Sequence, residues 1–144
     1  MKSILFVCLG NICRSPIAEG IARQRILDHN LPITVDSAGT GNWHVGEKPC
    51  DHSVTIAHKH GVDISTLRAS QVTKADFTTF DLIVALDQSN YNDLKALGCK
   101  NVVKLGAYGY GGKDVPDPYF FEGLEGFEAV YTMIETCVER LLAV

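Results

Sequence analysis

Hydrophobic and polar positions along the chain switch between two periods. SILFV (3–7) is a short, almost unbroken apolar run, the pattern of a strand covered on both faces of a parallel sheet. From Pro16 to about His29, Ile17, Ala18, Ile21, Ala22 and Ile26 recur at helical spacing, and Asn30 and Pro32 stop the run. ITVDSA (33–38) returns to a strand pattern, and Pro49 to His60 predicts a helix ending at Gly61. A T-x-x-D box, Thr73–Asp76, predicts a short helix start before a buried strand, DLIVAL (81–86). Ser89 to Leu97 reads as a helix closed by Gly98, and NVVKL (101–105) as a fourth strand. A loop rich in Gly, Asp and Pro spans roughly 106–120. The last helix, Leu124 to Leu142, carries Phe127, Val130, Tyr131, Ile134, Val138 and Leu141 on one stripe.

Strand followed by helix, four times over, predicts an α/β domain: a four-stranded parallel sheet flanked by helices, joined by right-handed crossovers. Open sheets of this kind bind ligands beyond the carboxyl ends of their strands. Cys8 follows the first strand, Ser37 ends the second, Asp87 follows the third, and the 106–120 loop follows the fourth. Polar and reactive residues thus collect at one edge.

Composition narrows the class. A chain of 144 residues suits one domain, with 46% hydrophobic and 21% charged residues, which are globular values. No stretch approaches the roughly 20 apolar residues of a membrane span. The amino-terminal apolar run is shorter than the roughly 7–15 residues of a signal-peptide core. Cysteines at 8, 13, 50, 99 and 137 are odd in number and lack framework spacing, so a reducing cytoplasm is expected. A net charge of −4 speaks against nucleic-acid or anionic-membrane surfaces. Any anionic ligand must therefore find its positive field in a local site.

The stretch LFVCLGNICRSP (5–16) offers one. Ser15 can cap the helix and Pro16 fits its first turn, so the helix starts directly after the loop. Amides between Cys8 and Ser15 can then point at an anion, with the helix dipole behind them. Gly10 permits tight curvature and Asn11 tolerates left-handed geometry. Arg14 adds a planar fork that matches two phosphate oxygens. Helix amino termini and nearby cations also favour the thiolate form of a cysteine, so Cys8 is expected to be a nucleophile aimed at phosphorus. No Walker pattern is present.

A thiolate that attacks a phosphate ester needs a proton donor for the departing oxygen. In KDVPDPYF (113–120), Asp117 stands between Pro116 and Pro118, which hold it on a rigid loop. Asp114 is the rival donor. Cys13 lies inside the loop, and oxidation could join it to Cys8 as reversible protection. His58 and His60, two residues apart, do not make a metal site with the scattered cysteines.

These residues resemble the low-molecular-weight protein tyrosine phosphatases over almost the whole chain. The resemblance rests on VCLGNICRSP (7–16), SAGTGNW (37–43), HG (60–61), Q-x-T-K-x-D-F (71–77), D-x-SN (87–90) and DPYF (117–120). It implies a flavodoxin-like sheet of strand order 2-1-3-4 in one phosphatase domain, 1–144, without metal or other cofactor. It further implies a phosphocysteine on Cys8 and Asp117 as general acid and then base. Phosphate would be bound by Leu9, Gly10, Asn11, Ile12, Cys13, Arg14 and Ser15. Asn11, Ser15, Ser37, His60 and Asp87 match positions that support the loop. Trp43, Tyr119 and Phe120 match the substrate walls. The implied partner is a phosphotyrosine-containing protein, with a bacterial tyrosine kinase among the candidates, acted on by a cytoplasmic monomer.

Two positions depart from the family pattern. Phe120 stands where some relatives carry a second Tyr, and Ser70 where relatives often have Arg. Two other readings of the same residues stand beside the phosphatase. One is an arsenate reductase, which needs resolving thiols that the segment from Asp51 to Gly98 lacks. The other is a phosphate-binding module without turnover, which would need neither the thiol nor the acid.

Overall fold

The computed structural model describes residues 2–118 and 123–144. Four strands, β1 (Ser3–Cys8), β2 (Thr34–Gly39), β3 (Leu82–Ala85) and β4 (Val102–Lys104), pair in parallel in the order β2-β1-β3-β4. This is the flavodoxin-like order expected. The helices are α1 (Arg14–His29), α2 (Asp51–Lys59), α3 (Asp76–Thr79), α4 (Gln88–Ala96) and α5 (Gly123–Leu142), with one 3₁₀ turn at Leu105–Ala107.

Strand side chains alternate between faces. Ile4, Phe6 and Cys8 of β1, with Val84 of β3, face a layer formed by α1, α2 and α5. Leu5 and Val7, with Ile83 and Ala85, face the α4 side. Burial on both faces explains the unbroken apolar run of β1, and full burial of each such side chain contributes about 1.5–3 kcal/mol. The same alternation determines where the sulfur points: Cys8 shares a face with Ile4 and Phe6, so it is directed toward the start of α1. The α5 stripe read from the sequence is buried throughout.

Two boundaries moved, with consequences. Cys8 is the last residue of β1, and α1 begins at Arg14, with Cys13 at its cap position. Ser15 therefore lies inside the first turn and does not cap the helix. Its hydroxyl is free to face the sulfur. The box at Thr73–Asp76 is a pre-helix turn, in which the Asp76 carboxylate accepts from the Thr73 N–H at 2.8 Å.

Candidate active site

The 8–15 turn is built around a left-handed residue. Asn11 has φ +57°, the geometry asparagine tolerates better than most residues. Gly10 is not the left-handed position. Its missing side chain instead leaves room for His44, whose Cδ2 would lie 3.0 Å from a Cβ placed there. With Asn11 so turned, its backbone N–H donates to Cys8 Sγ at 3.3 Å.

The Asn11 side chain holds the turn from beneath. Its Nδ2 donates to Ser15 Oγ at 2.7 Å and to Ser37 Oγ at 2.9 Å, while its Oδ1 accepts from the Ser70 N–H at 3.0 Å. Ser15 Oγ thus accepts a hydrogen bond from Asn11 and can direct its own O–H to Cys8 Sγ, 3.0 Å away. Ser37 in turn donates to Glu19 Oε1 at 2.6 Å, and Glu19 Oε2 accepts from Arg23 Nε at 2.7 Å. Glu19, only 2% exposed, closes this chain of bonds. Sequence reading missed it. The available signal was its spacing, one helical turn past Ser15 and two past Asn11. Ser70 joins the network through its backbone, so the departure from Arg leaves that contact in place.

Arg14 is also buried, with 4% of its surface exposed. Its Nη1 donates to Asp87 Oδ2 at 2.7 Å and to the Val115 carbonyl at 3.0 Å. Burial by itself lowers the proton affinity of this guanidinium. The charge of Cys8, the bond and charge of Asp87, and the charge of Asp117 outweigh it, and Arg14 is held above its ordinary value. Asp87 caps α4 with its other oxygen, which accepts from the Asn90 N–H at 2.7 Å.

Above the turn opens a cavity of about 200 Å³ lined by Cys8, Leu9, Gly10, Ile12, Cys13, Arg14, Trp43, His44 and Asp117. Trp43 is 67% exposed at its mouth, and its ring lies over Gly41, where a Cβ would clash at 1.9 Å. Asp114 does not line this cavity. It pairs with Lys104 Nζ at 2.6 Å and accepts from the Gln88 N–H, and Lys104 holds its carboxyl below the usual range. His44, not anticipated as a lining residue, is bonded to Glu47 at 3.0 Å. Tyr119 and Phe120 lie outside the described residues. Among the described residues, no three His, Cys, Asp or Glu side chains gather as a metal would require.

One expected support residue is elsewhere. His60 does not reach the turn: its Nε2 bonds Glu128 Oε1 at 2.7 Å and its ring stacks on Tyr131 at 4.2 Å. It ends α2 and ties that end to α5, with left-handed Gly61 next to it. Cys13, which oxidation could join to Cys8, has its Sγ 3.0 Å from Cys50 Sγ.

Fold and cavity together define a class: open parallel α/β proteins with a buried thiol in a turn at the carboxyl edge of the sheet, leading into a helix. Comparison with known proteins makes this specific. The family model for low molecular weight phosphotyrosine protein phosphatase matches residues 3–144, and the chain belongs to that family. It is 41% identical over 151 residues to the low molecular weight protein-tyrosine-phosphatase YfkJ of Bacillus subtilis, covering 99% of this chain and 95% of the relative. The low molecular weight phosphotyrosine protein phosphatase of Sus scrofa is 39% identical over 150 residues, with coverage of 98% and 94%. The crystal structure of YfkJ superposes with a TM-score of 0.90 at 38% identity, over 99% of this chain and 93% of that one.

Proposed function

We propose that this protein, as one 144-residue phosphatase domain, hydrolyses phosphotyrosine in protein substrates and also small aryl phosphates. The observation that carries this reading is that Cys8, Arg14, Asp117 and Trp43 line one cavity. Phosphate sits in the turn formed by residues 9–15, bound by its amides and by the Arg14 fork. The Cys8 sulfur attacks phosphorus, an S–P bond forms, and the bond to the phenolic oxygen breaks as Asp117 gives that oxygen a proton. Water then attacks the phosphocysteine, Asp117 takes its proton, and the sulfur leaves as thiolate. The Ser15 hydroxyl, bonded to the sulfur at 3.0 Å, stabilises it in both steps.

Substrate choice follows from depth. A flat phenol extends the phosphate from the floor toward the Trp43 ring, whereas a serine or threonine side chain is too short for that reach. Tyr119 and Phe120 complete the aromatic walls in this reading. The protein acts as a cytoplasmic monomer, with a tyrosine kinase among its protein partners. Support for the compartment comes from the odd, unframed cysteine set, and no described helix is long and apolar enough to cross a membrane.

The test is rapid-quench labelling with a ³²P-aryl phosphate. Asp117→Asn should accumulate label on Cys8, Cys8→Ser should carry none, and Cys8→Ser should lose aryl phosphate turnover. Label on any other residue, or turnover surviving in Cys8→Ser, would remove the mechanism. Parallel incubation with arsenate and a thiol reductant should release no arsenite.

A further inference from the structure

We infer that Cys13 and Cys50 form a disulfide under peroxide, a modification site that cross-links the phosphate turn to the start of α2 without using Cys8. The two sulfurs are 3.0 Å apart, and a disulfide of about 2.05 Å needs only a further approach of about 1 Å. The backbones around them are already tied. The Cys50 N–H donates to the Ile12 carbonyl at 2.9 Å, and Ser53 Oγ donates to the Cys13 carbonyl at 3.1 Å. These bonds hold the two Cys positions beside each other before any oxidant arrives. Cys50 lies one residue ahead of the thiol-free stretch from Asp51 to Gly98, and the connection into α2 brings it to the turn.

Exposure assigns the order of events. Cys50 is half-buried and lines two grooves on the outer surface, while Cys13 is 6% exposed. The Cys50 sulfur attacks the peroxide, the O–O bond breaks, and a sulfenic acid and one water form. Cys13 then attacks the sulfenic sulfur, the S–S bond forms, and the hydroxyl leaves as a second water. One peroxide is reduced and two thiols are oxidised. Cys50 exchanges its contact with Ser53, 3.0 Å away, for the bond to Cys13. The groups around Cys8 — Ser15, the Asn11 amide and Arg14 — keep their partners, because none of them bonds Cys50.

The bridge also removes Cys13 as a partner for Cys8. Oxidation at this pair and oxidation at the nucleophile are therefore competing outcomes that mass spectrometry separates. Wild type, Cys8→Ser and Cys50→Ser are treated with one equivalent of hydrogen peroxide in phosphate buffer, alkylated and digested without reduction. A Cys13–Cys50 link should appear in wild type and in Cys8→Ser, and be missing in Cys50→Ser. Cys50→Ala serves as a second control, and both Cys50 variants should match wild-type turnover when reduced. Linked wild type should keep at least half its aryl phosphate turnover. A Cys8–Cys13 bridge as the sole product, or separate alkylation of Cys13 and Cys50 in treated Cys8→Ser, overturns the site. Complete loss of turnover with this link as the only change overturns the claim that the groups around Cys8 keep their partners. The linkage readout does not depend on turnover, so it stands or falls apart from the proposed reaction.

Discussion

The Ser37 hydroxyl donates to Glu19 Oε1 at 2.6 Å, joining the middle of α1 to the end of β2. Through Asn11 and Ser15 this bond is three links from the sulfur of Cys8, yet Glu19 itself is absent from the cavity lining. We expect it to act as a positioning residue. Its charge is balanced by Arg23, whose own side chain is half in solvent.

Glu19→Ala should therefore act mainly by orphaning the Ser37 hydroxyl and loosening Asn11. We expect a loss of about 1–3 kcal/mol in denaturant unfolding. We also expect kcat for an aryl phosphate to fall about tenfold with a smaller change in KM. Glu19→Gln should recover much of the stability. Equal activity in all three proteins would show that the network does not position the turn.

Asp117→Asn should lower kcat by about 10²–10⁴. The loss should grow as the leaving phenol becomes more basic, because poorer leaving groups need the proton more. A loss independent of the leaving group would assign Asp117 to binding instead. Asp114→Asn, which breaks a surface pair with Lys104, should leave turnover within about twofold.

Arg14→Lys keeps a positive charge but cannot hold Asp87, the Val115 carbonyl and two phosphate oxygens in one plane. A fall in kcat/KM of about 10²–10³ is expected, with inorganic phosphate inhibiting more weakly. Competitive inhibition unchanged from wild type would refute the bidentate role.

Alkaline stability should report Tyr131. Burial, with Glu135 adding to it, pushes its phenol up to about 12. An unfolded tyrosine ionises near 10, so the unfolded chain loses the proton first and the fold is penalised between about pH 10 and 12. The contribution is fully present below pH 10 and lost as pH rises through the folded value, about 2–3 kcal/mol in all. Tyr131→Phe should flatten that decline in urea unfolding across the window. At neutral pH it should cost nothing, since the hydroxyl has no hydrogen-bond partner among the described residues.

The remaining thiols should be inert. Burial pushes Cys137 up to about 11 and raises Cys99 as well. Neither should react with iodoacetamide at pH 8 in the native protein, and both should react once it is unfolded. Labelling of Cys137 in the folded state would contradict its burial.

Much of this was readable from spacing alone. The apolar run of β1, the α5 stripe and the Cys8-to-Arg14 turn are local patterns, and local patterns survive in a linear text. Strand order came from resemblance, not from period. What stayed hidden depends on crossovers: Cys50 beside Cys13, Ser37 against Glu19, and His60 carried to α5. Ser15 is the instructive case. A Ser-Pro pair looks like a helix cap, but a helix that starts one residue before it turns the same hydroxyl toward the sulfur.

Asp87 uses one carboxylate twice, one oxygen starting α4 and the other aiming Arg14. Rotation of that carboxylate would disturb both contacts, so the start of α4 and the Arg14 guanidinium share one anchor. Substitutions around the mouth can then reshape the rim of the cavity while the anchor of Arg14 is left untouched.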